Sequence, residues 1–149
     1  MVLLDASILV RTEDRDSPDR DVCVEAVRTL CEAGTARLCA QVLIEFWAVV
    51  TRPQSVNGLG FGSDRADIAV GKLMTAIPVL AEPPDMAARW RGLAMAVWAS
   101  GRQVHDTRIV ALMHAHSVSR ILTLNEQDFR RYLGIGAYHP SKAADLRDL

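Results

Sequence analysis

Four polar residues occupy places where packing alone would put apolar ones. In "GRQVHDTRIVALM", residues 101–113, Asp106 precedes Ile109, Val110 and Met113 by three, four and seven residues. On a helix all four share one face. Asp5 ends the apolar run that opens "MVLLDASIL". Glu45 lies inside the strongly apolar "QVLIEFWAVV", with Gln41, Ala48, Val49 and Arg52 as its helical neighbours, and Asn125 follows "RILTL". Taken singly, each has a structural role. Asp106 could cap a helix, Asp5 a turn and Asn125 a bend, and Glu45 could pair with Arg52 or lie at an exposed edge. The set implies more. Interior carboxylates raise one another's pKa and stay apart unless a cation lies between them. Lys72 and Lys142 are the only lysines, so clustered acids point to a divalent ion, and oxygen-only ligands suit Mg²⁺ or Mn²⁺. The histidines do not read as a zinc site, since His114 and His116 are two apart and face different ways on a helix. Cys23, Cys31 and Cys39 show no C-x-x-C spacing, and Cys23, Val27 and Cys31 share a helical stripe, which reads as buried reduced thiols.

The elements that must position these groups alternate. "VLLD" is a short apolar run, as expected of a strand buried on both faces. "DSPDRDVCVEAVRTLCEAG" reads as a helix with Ser17 as cap, Pro18 in the first turn and Gly34 as stop. "ARLCA" is a second strand, "QVLIEFWAVVTRP" a helix closed by Pro53, and 53–62 the one long loop. "SDRADIAVGKLMTAI" is a helix capped by Ser63 or Asp64. A third strand "PVLAE", the helix "PDMAARWRGLAMAVWASG", the Asp106 helix, a fourth strand "RILTL" and a short helix "EQDFRRYL" follow. The tail holds an edge strand and a loose end. Such alternation predicts a single α/β domain over 1–149, a mostly parallel sheet with helices on both faces. In that architecture ligand sites form outside the carboxyl ends of the strands, where Asp5, Asn125 and the start of the Asp106 helix can meet.

Composition sets bounds. The chain has 149 residues, half of them apolar, and a net charge of −1. A basic surface that grips nucleic acid by bulk charge is therefore not indicated. No apolar run reaches the roughly 18–20 residues of a membrane span. "MVLLDASILV" lacks a basic start and is interrupted by Asp5, so a signal peptide is not expected. A cytoplasmic protein is expected.

The ordered set — an early Asp after a short strand, the Glu of "IEFWAVVTRP", then "HDTRIVALMHAHSVSRILTLNEQDF" — resembles the PIN-domain ribonucleases. Among them it is similar to the VapC-type toxins of bacterial toxin–antitoxin modules. Thr51 to Gly60, "TRP…NGLG", also looks like one VapC-type subgroup. The resemblance spans nearly the whole chain and implies a three-layer α/β/α sandwich whose acids bind Mg²⁺ or Mn²⁺ and hydrolyse single-stranded RNA segments. By position, the catalytic metal ligands would be Asp5, Glu45 and Asp106, with Asn125 in the fourth place. That family place is often Asp, and Asp128, three residues on, is the nearest acid to supply the missing charge. The family commonly has Thr or Ser after the first Asp and Asn two after it; here stand Ala6 and Ser7. Ser7 can donate to Asp5 or to a phosphate, and Thr123 resembles a family hydroxyl lining the site. Arg11, Arg52 and Arg108 are the expected substrate contacts. A cognate antitoxin covering the groove and a homodimer are also implied. The implied chemistry is metal-assisted phosphodiester hydrolysis. A degenerate PIN domain that binds RNA or protein without cutting is the main alternative. A phosphatase with an aspartate nucleophile would need a second Asp where Ser7 stands. A receiver-like domain would need a late lysine near the site, and Lys142 lies in the tail.

Overall fold

A computed structural model describes residues 1–147. Its centre is a four-stranded sheet in the order β2-β1-β3-β4, formed by β1 (Val2–Leu4), β2 (Ala36–Arg37), β3 (Arg120–Leu122) and β4 (Gly136–Tyr138). Every pairing is parallel, with Leu3 opposite Arg37 on one side and Ile121 on the other. β1 is fully buried, which is why an uninterrupted apolar run suits it. Among the described residues six α-helices surround the sheet: α1 (Ala6–Glu13), α2 (Arg20–Glu32), α3 (Ala40–Thr51), α4 (Ser63–Ala76), α5 (Met86–Ala96) and α6 (Gln103–Ala115). The architecture is the α/β/α sandwich that the alternation predicted. Among the described residues no helix is long and apolar enough to cross a membrane.

The chain leaves β1 toward β2 on one side, and after β2 it crosses back to β3 on the other. The order therefore reverses between β1 and β3, and a crevice opens at their carboxyl ends. Asp5 directly follows β1 and Thr123 directly follows β3.

A local signal explains the end of α2. α2 stops because Gly34 takes a left-handed φ of +69°, with Thr35 N–H bonded to the Leu30 carbonyl and Gly34 N–H to that of Cys31. Several boundaries depart from the sequence reading. α1 follows β1 without a sequence signal of its own: its buried Ile8, Leu9 and Val10 continue the opening apolar run, so the helix is hidden behind the strand pattern. "PVLAE" is no strand beyond a single bridge from Val79 to Leu38. Ser17 does not cap α2; its Oγ accepts the Asp19 N–H in the preceding turn, and the helix begins after Asp19. α4 begins at Ser63, with Gly62 as its cap residue. Of "EQDFRRYL" only Glu126–Phe129 is helical, as a 3₁₀ turn. The tail is not loose through residue 147: Pro140–Leu146 forms 3₁₀ structure against α2 and buries Ala143 and Leu146.

Candidate functional site

A pocket of about 840 Å³ sits at the carboxyl edge of the sheet. Asp5, Glu45, Asp106, Asn125 and Asp128 all line it, together with Ser7, Arg11 and Arg52. These residues come from four stretches of chain, 5–11, 45–52, 106 and 125–128, which the parallel topology brings to one end.

Asp5 is the best-held of them. Ser7 Oγ donates to Asp5 Oδ2 at 2.6 Å and Thr123 Oγ1 donates to the same oxygen at 2.7 Å. The backbone fixes those directions. Leu124 N–H donates to Ser7 Oγ at 3.1 Å and Asn125 N–H to Thr123 Oγ1 at 3.0 Å. Each hydroxyl, already accepting from the main chain, turns its one hydrogen toward the carboxylate. The two hydroxyls therefore engage Oδ2 and leave Oδ1 as the oxygen open to a cation or a substrate.

Asp106 is not a cap. It lies in the first turn of α6, whose cap residue is Arg102. Ile109, Val110 and Met113 on its face are buried, so the apolar stripe ends where the pocket begins. Burial, then the charges of Asp5, Asp128 and Glu45, push the Asp106 carboxyl up to about 7, against a smaller opposing pull from Arg102. Burial and Asp5 likewise raise Glu45, while a hydrogen bond from Gln41 works the other way. The Gln41 Nε2–Glu45 Oε1 distance is 2.8 Å, and Gln41 replaces Arg52 as the partner expected for Glu45. Asn125 and Asp128 are both exposed on the pocket rim, and it is the charge of Asp128 that reaches Asp106.

Arg108 is not at the pocket. Its guanidinium is clamped bidentately by Glu82, both distances 2.8 Å, with a longer 3.4 Å contact to Gln41 Oε1. It is thus removed from the expected substrate contacts. Arg102, His105 and Asn57 line the pocket in addition and were missed. Arg102 was legible in principle, four residues before Asp106 on the same helix face. Asn57 was not, because it reaches the pocket by a left-handed turn at φ 62°.

Hard oxygen donors gathered in one crevice, one of them with its carboxyl pushed up to about 7, suit a divalent cation. The acids gather without converging: among the described residues no group of three or more His, Cys, Asp or Glu is arranged to hold an ion as it stands.

The profile of the PIN domain family matches residues 2–134. The chain belongs to the PIN domain family. No curated protein matches the chain in sequence. Among solved structures it is similar to a chain of VapBC2 from Rickettsia felis, solved with a DNA fragment from its promoter. That match has a TM-score of 0.69 and 13% identity, over 93% of this chain and 98% of the other. VapC20 of Mycobacterium tuberculosis, a toxin that cleaves the sarcin–ricin loop, is similar at a TM-score of 0.62 and 14% identity, over 81% and 87%. A chain of FitAcB from Neisseria gonorrhoeae follows at 0.61 and 18%, over 94% and 98%. At these identities the likeness is one of fold.

Proposed function

We propose that this PIN domain is a divalent-metal-dependent endoribonuclease that hydrolyses phosphodiester bonds in single-stranded RNA, the toxin of a VapC-type toxin–antitoxin module. One observation carries the reading: Asp5, Glu45, Asp106 and Asp128, far apart in sequence, line one pocket at the sheet's carboxyl edge and act on one another electrostatically. Neighbouring folds named as VapC and VapBC proteins support it.

Asp5, Glu45 and Asp106 would hold Mg²⁺ or Mn²⁺, with Asn125 or Asp128 completing the set. Such an ion supplies Lewis-acid neutralisation of phosphate charge and a nucleophile at neutral pH. The chain's own groups do the rest. Ser7 and Thr123 keep Asp5 in one orientation. Arg11, Arg52 and Arg102 stand at the pocket to receive phosphate, arginine's planar fork being suited to it. An antitoxin would cover this pocket, and the chain would act as a homodimer in the cytoplasm.

Purified chain, free of any partner, is expected to cut an RNA with single-stranded loops in Mg²⁺ or Mn²⁺ and to stop in EDTA. Asp5→Asn is expected to abolish cleavage while circular dichroism stays that of the wild type. Wild-type rates in Asp5→Asn would sink the mechanism. RNA binding without cleavage at any Mg²⁺ or Mn²⁺ concentration would replace it with a binding module.

A further inference from the structure

Gln41 lies between a donor-only and an acceptor-only group. On one side Arg108 Nη1 faces its Oε1 at 3.4 Å; on the other its Nε2 faces Glu45 Oε1 at 2.8 Å. A guanidinium can only donate and an ionised carboxylate only accept. Flipping the amide would set donor against donor and acceptor against acceptor. Arg108 is itself immobilised, because Glu82 takes Nη2 with both carboxylate oxygens at 2.8 Å. The chain Glu82–Arg108–Gln41–Glu45 thus runs from the segment before α5, across α6, to the pocket.

We propose that Arg108, anchored by Glu82, fixes the Gln41 amide so that it orients the Glu45 carboxylate in the acidic pocket. Gln41 and Arg108 are then positioning residues. The proposal rests on the reading of Glu45 as part of the nuclease site. Stability is a poor alternative explanation for the ion pair. Its side chains are 31% and 36% exposed, and exposed pairs contribute little to folding. What the two Glu82 contacts to Nη2 add is a fixed place for the guanidinium. The 3.4 Å contact is the weakest link, so changes at Gln41 act more strongly than changes at Arg108.

Two measurements test this. In the ¹⁵N-labelled, metal-free chain the Gln41 side-chain amide is expected to show one proton shifted downfield by its bond to Glu45. Glu45→Ala should return it to the position of a free amide, and Arg108→Met should move it part of the way there; an unchanged signal in Arg108→Met overturns the proposal. Calorimetry with Mn²⁺ gives the second reading. Gln41→Met is expected to weaken Mn²⁺ binding roughly tenfold, as loss of a group that orients a ligand does, and to lower kcat with KM for RNA unchanged. The charge-swapped pair Glu82→Arg with Arg108→Glu separates positioning from structure. It keeps the ion pair, and so the Tm, but presents a carboxylate to Gln41 and reverses the amide. Mn²⁺ binding should then be as weak as in Gln41→Met, and wild-type affinity in the swapped protein overturns the relay. If the wild type itself bound no Mn²⁺, the metal-site reading would fall, and the amide signal would still decide the relay by itself.

Discussion

At Asp106, burial and three other acids act against the ionised form, and only Arg102 favours it. The consequence for stability runs opposite to that of a salt-bridged carboxylate. Unfolded, the group loses its proton near pH 4; folded, it holds it to about 7. Between those values the folded state binds the extra proton, so stability is highest at the acid end and falls as pH rises toward 7. In EDTA, Asp106→Asn is expected to flatten that slope and to raise Tm at pH 8 by a few degrees, each kcal/mol being worth about 2–4 °C in a domain of this size. A Tm that falls equally with pH in Asp106→Asn would place the titrating group elsewhere. The same residue shows what the sequence could reveal about the site. A charge on an otherwise apolar helical face is visible as a broken pattern, and Asp5 and Glu45 break theirs in the same way. Arg108 gave no such signal. Its partner Glu82 lies 26 residues upstream, on a segment without periodic structure, so nothing local separated a clamped arginine from a free one.

The elements that were readable are those with a long pattern and a marked end. α2 has its glycine stop, and α3 its apolar period closed by Pro53. Short pieces were not. α1 merges with the strand before it, and Val79 makes one bridge only, leaving "PVLAE" apolar without being a strand. The loop after α3 was legible as a loop but not as a built structure. Gly60 N–H bonds the Arg52 carbonyl at 2.8 Å and Gly58 N–H that of Pro53 at 3.1 Å, folding the loop back on the end of α3. A Cβ at Gly58 would lie 2.0 Å from the Arg52 carbonyl oxygen, a backbone atom that cannot turn aside. Gly58→Ala must therefore push the loop away from α3, displacing Asn57 and Arg52 at the pocket mouth. A loss of about 1–3 kcal/mol is expected, the usual range for overpacking, with KM for RNA raised more than kcat is lowered. A folded Gly58→Ala protein with wild-type KM would show that the loop takes no part in substrate contact.

Over the whole molecule, charge is balanced at −1, yet its distribution is uneven. The pocket has a floor of acids and a margin that includes Arg11, Arg52 and Arg102. Arg11 spends part of its charge on Asp14 at 3.4 Å. A net charge near zero gives little attraction of RNA at long range, so the chain's electrostatic contribution to binding is expected to come from a few phosphates at the rim. That has a measurable form. For single strands, each neutralised phosphate contributes about 0.7 to the slope of log affinity against log salt, so three arginine contacts predict a slope near −2. Binding of a short single-stranded RNA to the Asp5→Asn chain, which is expected not to cleave it, titrated from low to physiological salt, measures it. Arg52→Ala is expected to make the slope shallower by about 0.7, one phosphate contact fewer, and to weaken binding to all sequences alike. A slope near zero would mean that the rim arginines meet no phosphate. A slope twice as steep would require phosphate contacts beyond the three rim arginines, and with them a different route for the RNA into the pocket.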